Sequence, residues 1–151
     1  MKASADLTIE RGVQEVWEHV ADVEMRHTWL DGLEKPRRTS EVASGAGAVY
    51  ATRLRRLGTG LKVTYTVTES EPPHRHAMRI ALPVMSFDAL MEFAPEGGGT
   101  KAVYTMDTGS GGRLATMFTT VLGPFMRAVA SRQLLNELRG LKAVLEAPAA
   151  D

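Results

Sequence analysis

From about Arg113 to Glu146 apolar residues recur at helical spacing, as Leu114, Met117, Phe118, Val121, Phe125 and Val129, then Leu134, Leu138, Leu141 and Leu145. Upstream of Gly111 the chain, one short region apart, reads as strands and tight turns. A long amphipathic helix that follows a run of strands buries its stripe on the face of their sheet. The expected architecture is α+β, a curved antiparallel sheet of roughly six to seven strands wrapped around that helix. A single helix across a strongly curved sheet leaves volume that side chains do not fill at native density. The pattern therefore predicts a space between helix and sheet.

The punctuation supports this order. Ala3, Ala5, Leu7 and Ile9 alternate with Ser4, Asp6 and Thr8, which predicts a first strand over Ala3 to Ile9. After Gly12, Val13, Val16, Trp17 and Val20 repeat at three and four, a short helix; Asp22 to Leu30 is a second helix or helical turn. Strands are expected from Ala48 to about Leu57, from Leu61 to Thr68, from His74 to Leu82, from Ser86 to Phe93 and from Thr100 to Thr108. Gly45-Ala46-Gly47, Gly58-Thr59-Gly60, Pro72-Pro73 and Gly97-Gly98-Gly99 separate them. Ser110 is a candidate N-cap for the long helix. Gly123-Pro124 predicts a kink or break within it, because proline removes a backbone bond and crowds the preceding turn. With Gly109 to Gly112, that pair makes the intervening segment a candidate lid.

Composition removes several functions. The 151 residues amount to one domain by length, and Lys plus Arg equal Asp plus Glu at 18 each. Such a chain has no net field to draw in nucleic acid or an anionic membrane. There is no cysteine, so disulfides, thiolate nucleophiles and zinc-thiolate sites are excluded together. No apolar run approaches the ~20 residues of a membrane span, and the N-terminus from Met1 to Asp6 has no apolar signal core, so a cytoplasmic protein is expected. Eight methionines among few aromatics indicate an interior able to adapt its shape.

Several local sequences taken together resemble one family. Val13-Gln14-Glu15-Val16-Trp17, Trp29, Gly45-x-Gly47, Val67-Thr68-Glu69-x-x-Pro72-Pro73-x-Arg75, the hairpin from Pro95 to Thr100, and Leu138-x-x-Leu141-Lys142 occur in the order of the START / polyketide cyclase-like (SRPBCC, Bet v 1-like) superfamily. The resemblance covers nearly the whole chain and implies a helix-grip fold with two short helices after the first strand. It also implies a cavity for an apolar or aromatic small molecule. Members include lipid carriers, cyclases and co-chaperone domains.

The candidate chemistry is sparse. Gly45-x-Gly47 precedes a strand and not a helix N-terminus, so it reads as a turn and not as a phosphate loop. His74 and His76 share a strand face, but no third metal ligand accompanies them, and beside Arg75 and Arg79 they read as a solvated edge. No metal and no cofactor is expected. Arg53, Arg55 and Arg56 read as an outer face, with one alternative: Arg53, or Arg132 on the helix, turns inward as a polar anchor for a ligand. The expected cavity lining is Trp29, Tyr50, Tyr65, Met78, Phe87, Met91, Tyr104, Met117, Phe118, Val121 and Phe125. No catalytic residue is assigned.

Two functions follow from this reading. One is binding of a small hydrophobic molecule, lipid- or polyketide-like, by a monomer or homodimer. The other is a polyketide cyclase/aromatase or dehydratase using pocket Arg and Tyr residues. The lack of a recognisable acid/base pair favours the first.

Overall fold

A computed structural model describes residues 1–55, 60–109 and 112–148, with the side chains of 112–122 excepted. Seven strands form one antiparallel sheet: β1 (Lys2–Ile9), β2 (Arg37–Arg38), β3 (Val49–Leu54), β4 (Leu61–Glu71), β5 (Arg75–Ala81), β6 (Ser86–Glu96) and β7 (Gly99–Asp107). Their order is β1-β7-β6-β5-β4-β3-β2, a meander from β2 to β7 that β1 extends at the far edge. Two elements follow β1, the helix α1 (Val13–Ala21) and a 3₁₀ helix over Val23–Thr28. The helix α2 (Gly112–Glu146) closes the chain. This is the helix-grip fold, a curved sheet around a long C-terminal helix.

Alternation assigns the faces. Val63, Tyr65 and Val67 of β4, Met78 and Ile80 of β5, Ala89, Met91 and Phe93 of β6, and Ala102 and Tyr104 of β7 are buried on the concave side. Cross-strand pairs continue this face as Tyr50–Tyr65–Ile80–Phe87 in one row and His76–Met91–Tyr104–Ala5 in another. The convex side carries Arg75, 3.0 Å from Glu69 and 3.1 Å from Glu92, and Arg79, 2.9 Å from Asp88. A register shift between Val67 and Glu69 puts a bulge in β4, a device that bends the strand and strengthens its twist. The β6–β7 hairpin turns on Gly97 (φ 54) and Gly98 (φ 87), and a two-residue loop with both dihedrals positive is the type I′ turn that glycine permits.

His76 does not sit on a solvated edge as expected. Its parity is that of Met78 and Ile80, and it is buried. Only its neighbours Arg75 and Arg79 turn outward. The short strand β2 carries no apolar alternation and is set by its pairing to β3.

The helix α1 packs against β5, β6 and β7, burying Val16 and Val20. Trp17 Nε1 donates to the carbonyl of Arg75 at 2.9 Å. The second half of α2 buries Leu134, Leu138 and Leu141 against β1 and the adjoining core. Lys142 Nζ donates to the Thr8 carbonyl at 2.8 Å, and the Glu10 amide donates to Glu146 Oε2 at 3.1 Å, which fastens the helix end to the end of β1.

Of the kink or break expected at Gly123-Pro124, the break is not observed, since α2 runs from Gly112 to Glu146 with Pro124 inside it. That continuity corrects one cavity residue. At 100° per residue, Phe125 stands nine residues before Leu134 and therefore half a revolution away from it. Only a break between them would let both face the sheet. Phe125 is 67% exposed. Ser110, Gly111 and the side chains of Met117, Phe118 and Val121 lie outside the described residues.

Candidate functional site: a cavity with one buried arginine

Between α2 and the concave face lies a cavity of about 700 Å³. The sheet contributes Leu54, Val63, Tyr65, Ile80, Phe87, Tyr104 and Met106, and the β5–β6 turn contributes Leu82. The helix contributes Met126, Val129, Ala130, Leu134, Glu137 and Gly140, and the segment after α1 contributes Arg26, Trp29, Leu30 and Leu33. Apolar side chains thus make most of the wall. Met85, Met126 and Val129 are exposed and mark its open side, whereas Arg26, Tyr65 and Tyr104 are buried at its inner end.

The inner end is built around Arg26, which is only 3% exposed. The 3₁₀ geometry of Val23–Thr28 explains its direction. With three residues per turn, Val23, Arg26 and the capping Trp29 stack in one row, and all three are buried. Arg26 Nη2 donates to the Tyr104 hydroxyl at 2.9 Å and to Glu137 Oε1 at 3.3 Å. Its guanidinium carbon stands 4.8 Å from the Trp29 ring centre and 5.1 Å from that of Tyr65. A buried guanidinium needs a counter-charge and donors satisfied, and aromatic faces add cation–π attraction. Burial by itself works against the charge, but Tyr104, Tyr65 and Glu137 outweigh it and raise the pKa above its ordinary value, so Arg26 is charged. Burial pushes the Tyr104 hydroxyl upward against the pull of Arg26, so it is neutral at physiological pH. Two donors of these residues, Arg26 Nε and Trp29 Nε1, are buried with no hydrogen-bond acceptor among the described residues.

The close approach of helix and loop is made by Gly140. A Cβ built on it would overlap the backbone carbonyl of Trp29 far inside van der Waals contact. No residue with a Cβ fits between α2 and the Trp29 backbone at this separation, so Gly140 sets how closely the helix approaches that loop.

The residues expected to line a cavity divide. Trp29, Tyr65, Phe87 and Tyr104 are in its wall. Tyr50, Met78 and Met91 are buried in the core but do not line it. Alternation assigns a face and not a place along it, and where α1 packs on β5 and β6 the concave face around Met78 and Met91 is filled. Tyr50 in addition directs its hydroxyl to the Ala43 carbonyl, at 3.4 Å. Neither expected anchor reaches the cavity. Arg53 is exposed because Tyr50, Thr52 and Leu54 take the inward parity of β3, and its Nη1 donates to the Gly60 carbonyl at 3.4 Å. Arg132 is exposed because two residues of helix turn it about 200° from Leu134. It borders a separate outer groove with Ser4, Asp6 and Arg139. Among the described residues the buried arginine is Arg26, which the sequence reading passed over. Its signal was an arginine at the centre of the Val23–Arg26–Trp29 row, visible only if three residues per turn are assumed. Among the described residues no group of three His, Asp or Glu could hold a metal ion, and no helix is long and apolar enough to cross a membrane.

A sheet closed on one helix over an apolar cavity defines a helix-grip protein. The family model for polyketide cyclase / dehydrase and lipid transport matches residues 1–146, and the chain belongs to that family. Among solved structures, the protein TTHA0849 from Thermus thermophilus is similar at a TM-score of 0.71 and 18% identity, over 99% of this chain and 100% of that one. The Aha1 dimer from Colwellia psychrerythraea is similar at 0.66 and 14%, over 99% of each. Ara h 8.0201 is similar at 0.68 and 8%, over 96% of this chain and 97% of that one. These identities bear on the fold alone. No protein of curated function matches the sequence.

Proposed function

We propose that this protein binds a small hydrophobic molecule, aromatic or lipid-like, in the cavity between α2 and the sheet. The observation that carries the reading is the cavity itself, about 700 Å³ of mostly apolar lining with a single polar cluster at its buried end. Small-molecule sites have this size and composition, apolar walls for affinity and a few fixed polar groups for orientation. The family description, which includes lipid transport, agrees with it.

The enzyme reading, a polyketide cyclase/aromatase or dehydratase, has Arg26 and Tyr104 as candidates to orient a polyketone. Proton transfer at neutral pH calls for a group whose pKa lies near the working pH. Tyr104 is pushed away from that range and Arg26 further still. Binding without chemistry is therefore the better-supported function.

Native mass spectrometry of the recombinant protein, with uptake of the neutral dye Nile red as a second measurement, tests the reading. A co-purifying apolar adduct, or saturable dye binding at one site, is the expected result. A protein that carries no adduct and takes up no dye overturns it.

A further inference from the structure

Two edges bound the sheet, the short β2 and the full-length β1. Among the described residues β1 pairs with β7 from Lys2 to Ile9 and with no strand on its other side. In an antiparallel pair, residues alternate between bonding the partner and turning both backbone groups away from it. Contacts at the two ends of β1 fix which residues do which. The Met1 carbonyl accepts from the Thr108 amide at 2.9 Å, so odd-numbered residues bond towards β7. The Thr8 carbonyl accepts from Lys142 and the Glu10 amide donates to Glu146, so even-numbered residues bond away from it. At Thr8 and Glu10 these outward groups are taken by α2. At Lys2, Ser4 and Asp6 the outward amides and carbonyls face no strand, and such an edge is the template on which a further strand forms.

The outer groove lies against this open stretch. Ser4 to Asp6 form one side of it, and Arg132, Leu135, Asn136 and Arg139 of α2 form the other. Ser4, Asp6, Arg132 and Arg139 are exposed, and neither arginine has an ion pair among the described residues. Seven residues make two turns of helix, so the two arginines project to one side about 10 Å apart. An extended segment advances about 3.4 Å per residue, and acids two or four residues apart in it reach both guanidinium groups. Asp6 is the one acid of the described lining. Its side chain has the parity of Ser4, opposite to Ala3 and Ala5, which lie on the concave face with Met106 and Tyr104.

A second copy of this chain fits the same edge poorly. Antiparallel pairing of two β1 strands about a twofold axis makes one continuous sheet with both α2 helices on the same face. Arg132 and Arg139 of each copy then approach those of the other, and like charges brought together oppose the arrangement.

We propose that the open edge of β1 and the outer face of α2 form a docking groove for an extended acidic segment of another protein, which joins the sheet as an eighth strand. Main-chain bonds at Lys2, Ser4 and Asp6 hold the segment, and Arg132 and Arg139 select its acidic side chains. Docking there is independent of whether the cavity holds a ligand.

The probe is the blocked peptide acetyl-TEVEVET-amide, titrated into nitrogen-15-labelled full-length protein at about 50 mM salt, where exposed charges are weakly screened. Saturable amide shifts centred on Ser4 and Asp6, with Kd on the order of 100 μM, are expected. The glutamine peptide TQVQVQT should bind about tenfold more weakly, and Arg132→Gln/Arg139→Gln should weaken TEVEVET by a similar factor. Ser4→Pro removes an outward donor and spares the β7 ladder, so it should fold and lose the peptide. No shifts at about 1 mM peptide overturn the proposal, as do equal affinities for the two peptides or a folded Ser4→Pro that binds as the wild type does. Should that variant fail to fold, TEVEVET methylated at its internal amides decides: loss of binding supports strand addition, and unchanged affinity overturns it. Sedimentation of the protein alone should show a monomer. A dimer that Ser4→Pro dissociates would give the edge to a second copy and overturn the assignment.

Discussion

Arg26 couples three parts of the chain at the scale of single residues, joining the 3₁₀ segment to β7 through Tyr104 and to α2 through Glu137. Removal of one member of a buried pair leaves the other charge uncompensated, which typically costs about 3–5 kcal/mol. Arg26→Met should therefore lower the unfolding free energy in urea by about that amount. The double variant Arg26→Met/Glu137→Leu should recover much of it, because two apolar groups replace two charges. Equal losses in the single and double variants would mean that the ion pair is not what the wall depends on. His76 makes a second residue-scale prediction. Burial, and then the nearby charge of Arg26, push it down to about 4 from an unfolded value of 6.5. The unfolded chain then binds more protons between those values, so stability falls as pH drops from 6.5 towards 4 and levels below. The loss attributable to His76 is on the order of 3 kcal/mol, and comparison with His76→Leu over the same pH range isolates it from the carboxylates and from His19, which burial also lowers.

At the scale of elements, α2 has two faces that the sequence pattern does not separate. The buried row is Leu134, Leu138 and Leu141, and its continuation towards the N-terminus passes through Ala130 and Met126, not Phe125. Phe125→Ser should leave stability within about 0.5 kcal/mol, as for most exposed substitutions. A large loss would place Phe125 in the wall after all. Gly140→Ala gives the opposite expectation. An alanine in a helix interior ordinarily gains about 1 kcal/mol over glycine. Here its Cβ meets the Trp29 carbonyl, so a net loss of about 1–3 kcal/mol is expected from overpacking, with a changed Trp29 environment in near-ultraviolet circular dichroism. A gain in stability would show that α2 can move off the loop at little cost.

For the whole molecule, a cavity of this size within a chain of 151 residues is space in which the folded state forgoes close contacts. A ligand that fills it binds the native state and not the unfolded chain. At a hundredfold excess over Kd such a ligand stabilises by about 2.7 kcal/mol, several degrees in Tm for a domain of this length. Scanning calorimetry with and without Nile red measures the shift. A Tm independent of ligand concentration would mean that the compound sits elsewhere, or binds both states alike.

The order of elements was legible because it rests on local physics. Val63, Tyr65 and Val67 alternate against lysine and threonine, glycine and proline interrupt at regular intervals, and a helical stripe follows the last strand, so a meander gripping a helix is the arrangement that buries these faces. Two things were decided only by tertiary contacts. Where along the concave face the space remains depends on how far α1 covers it, which is why Met78 and Met91 are core while Ile80 and Phe87 are wall. Which arginine is buried depends on a counter-charge supplied from more than a hundred residues away, Glu137, and on two aromatic faces from Trp29 and Tyr65. Periodicity reports which side of an element is apolar. A charged group enters an apolar interior only when distant partners compensate it, and those partners meet only in the folded chain.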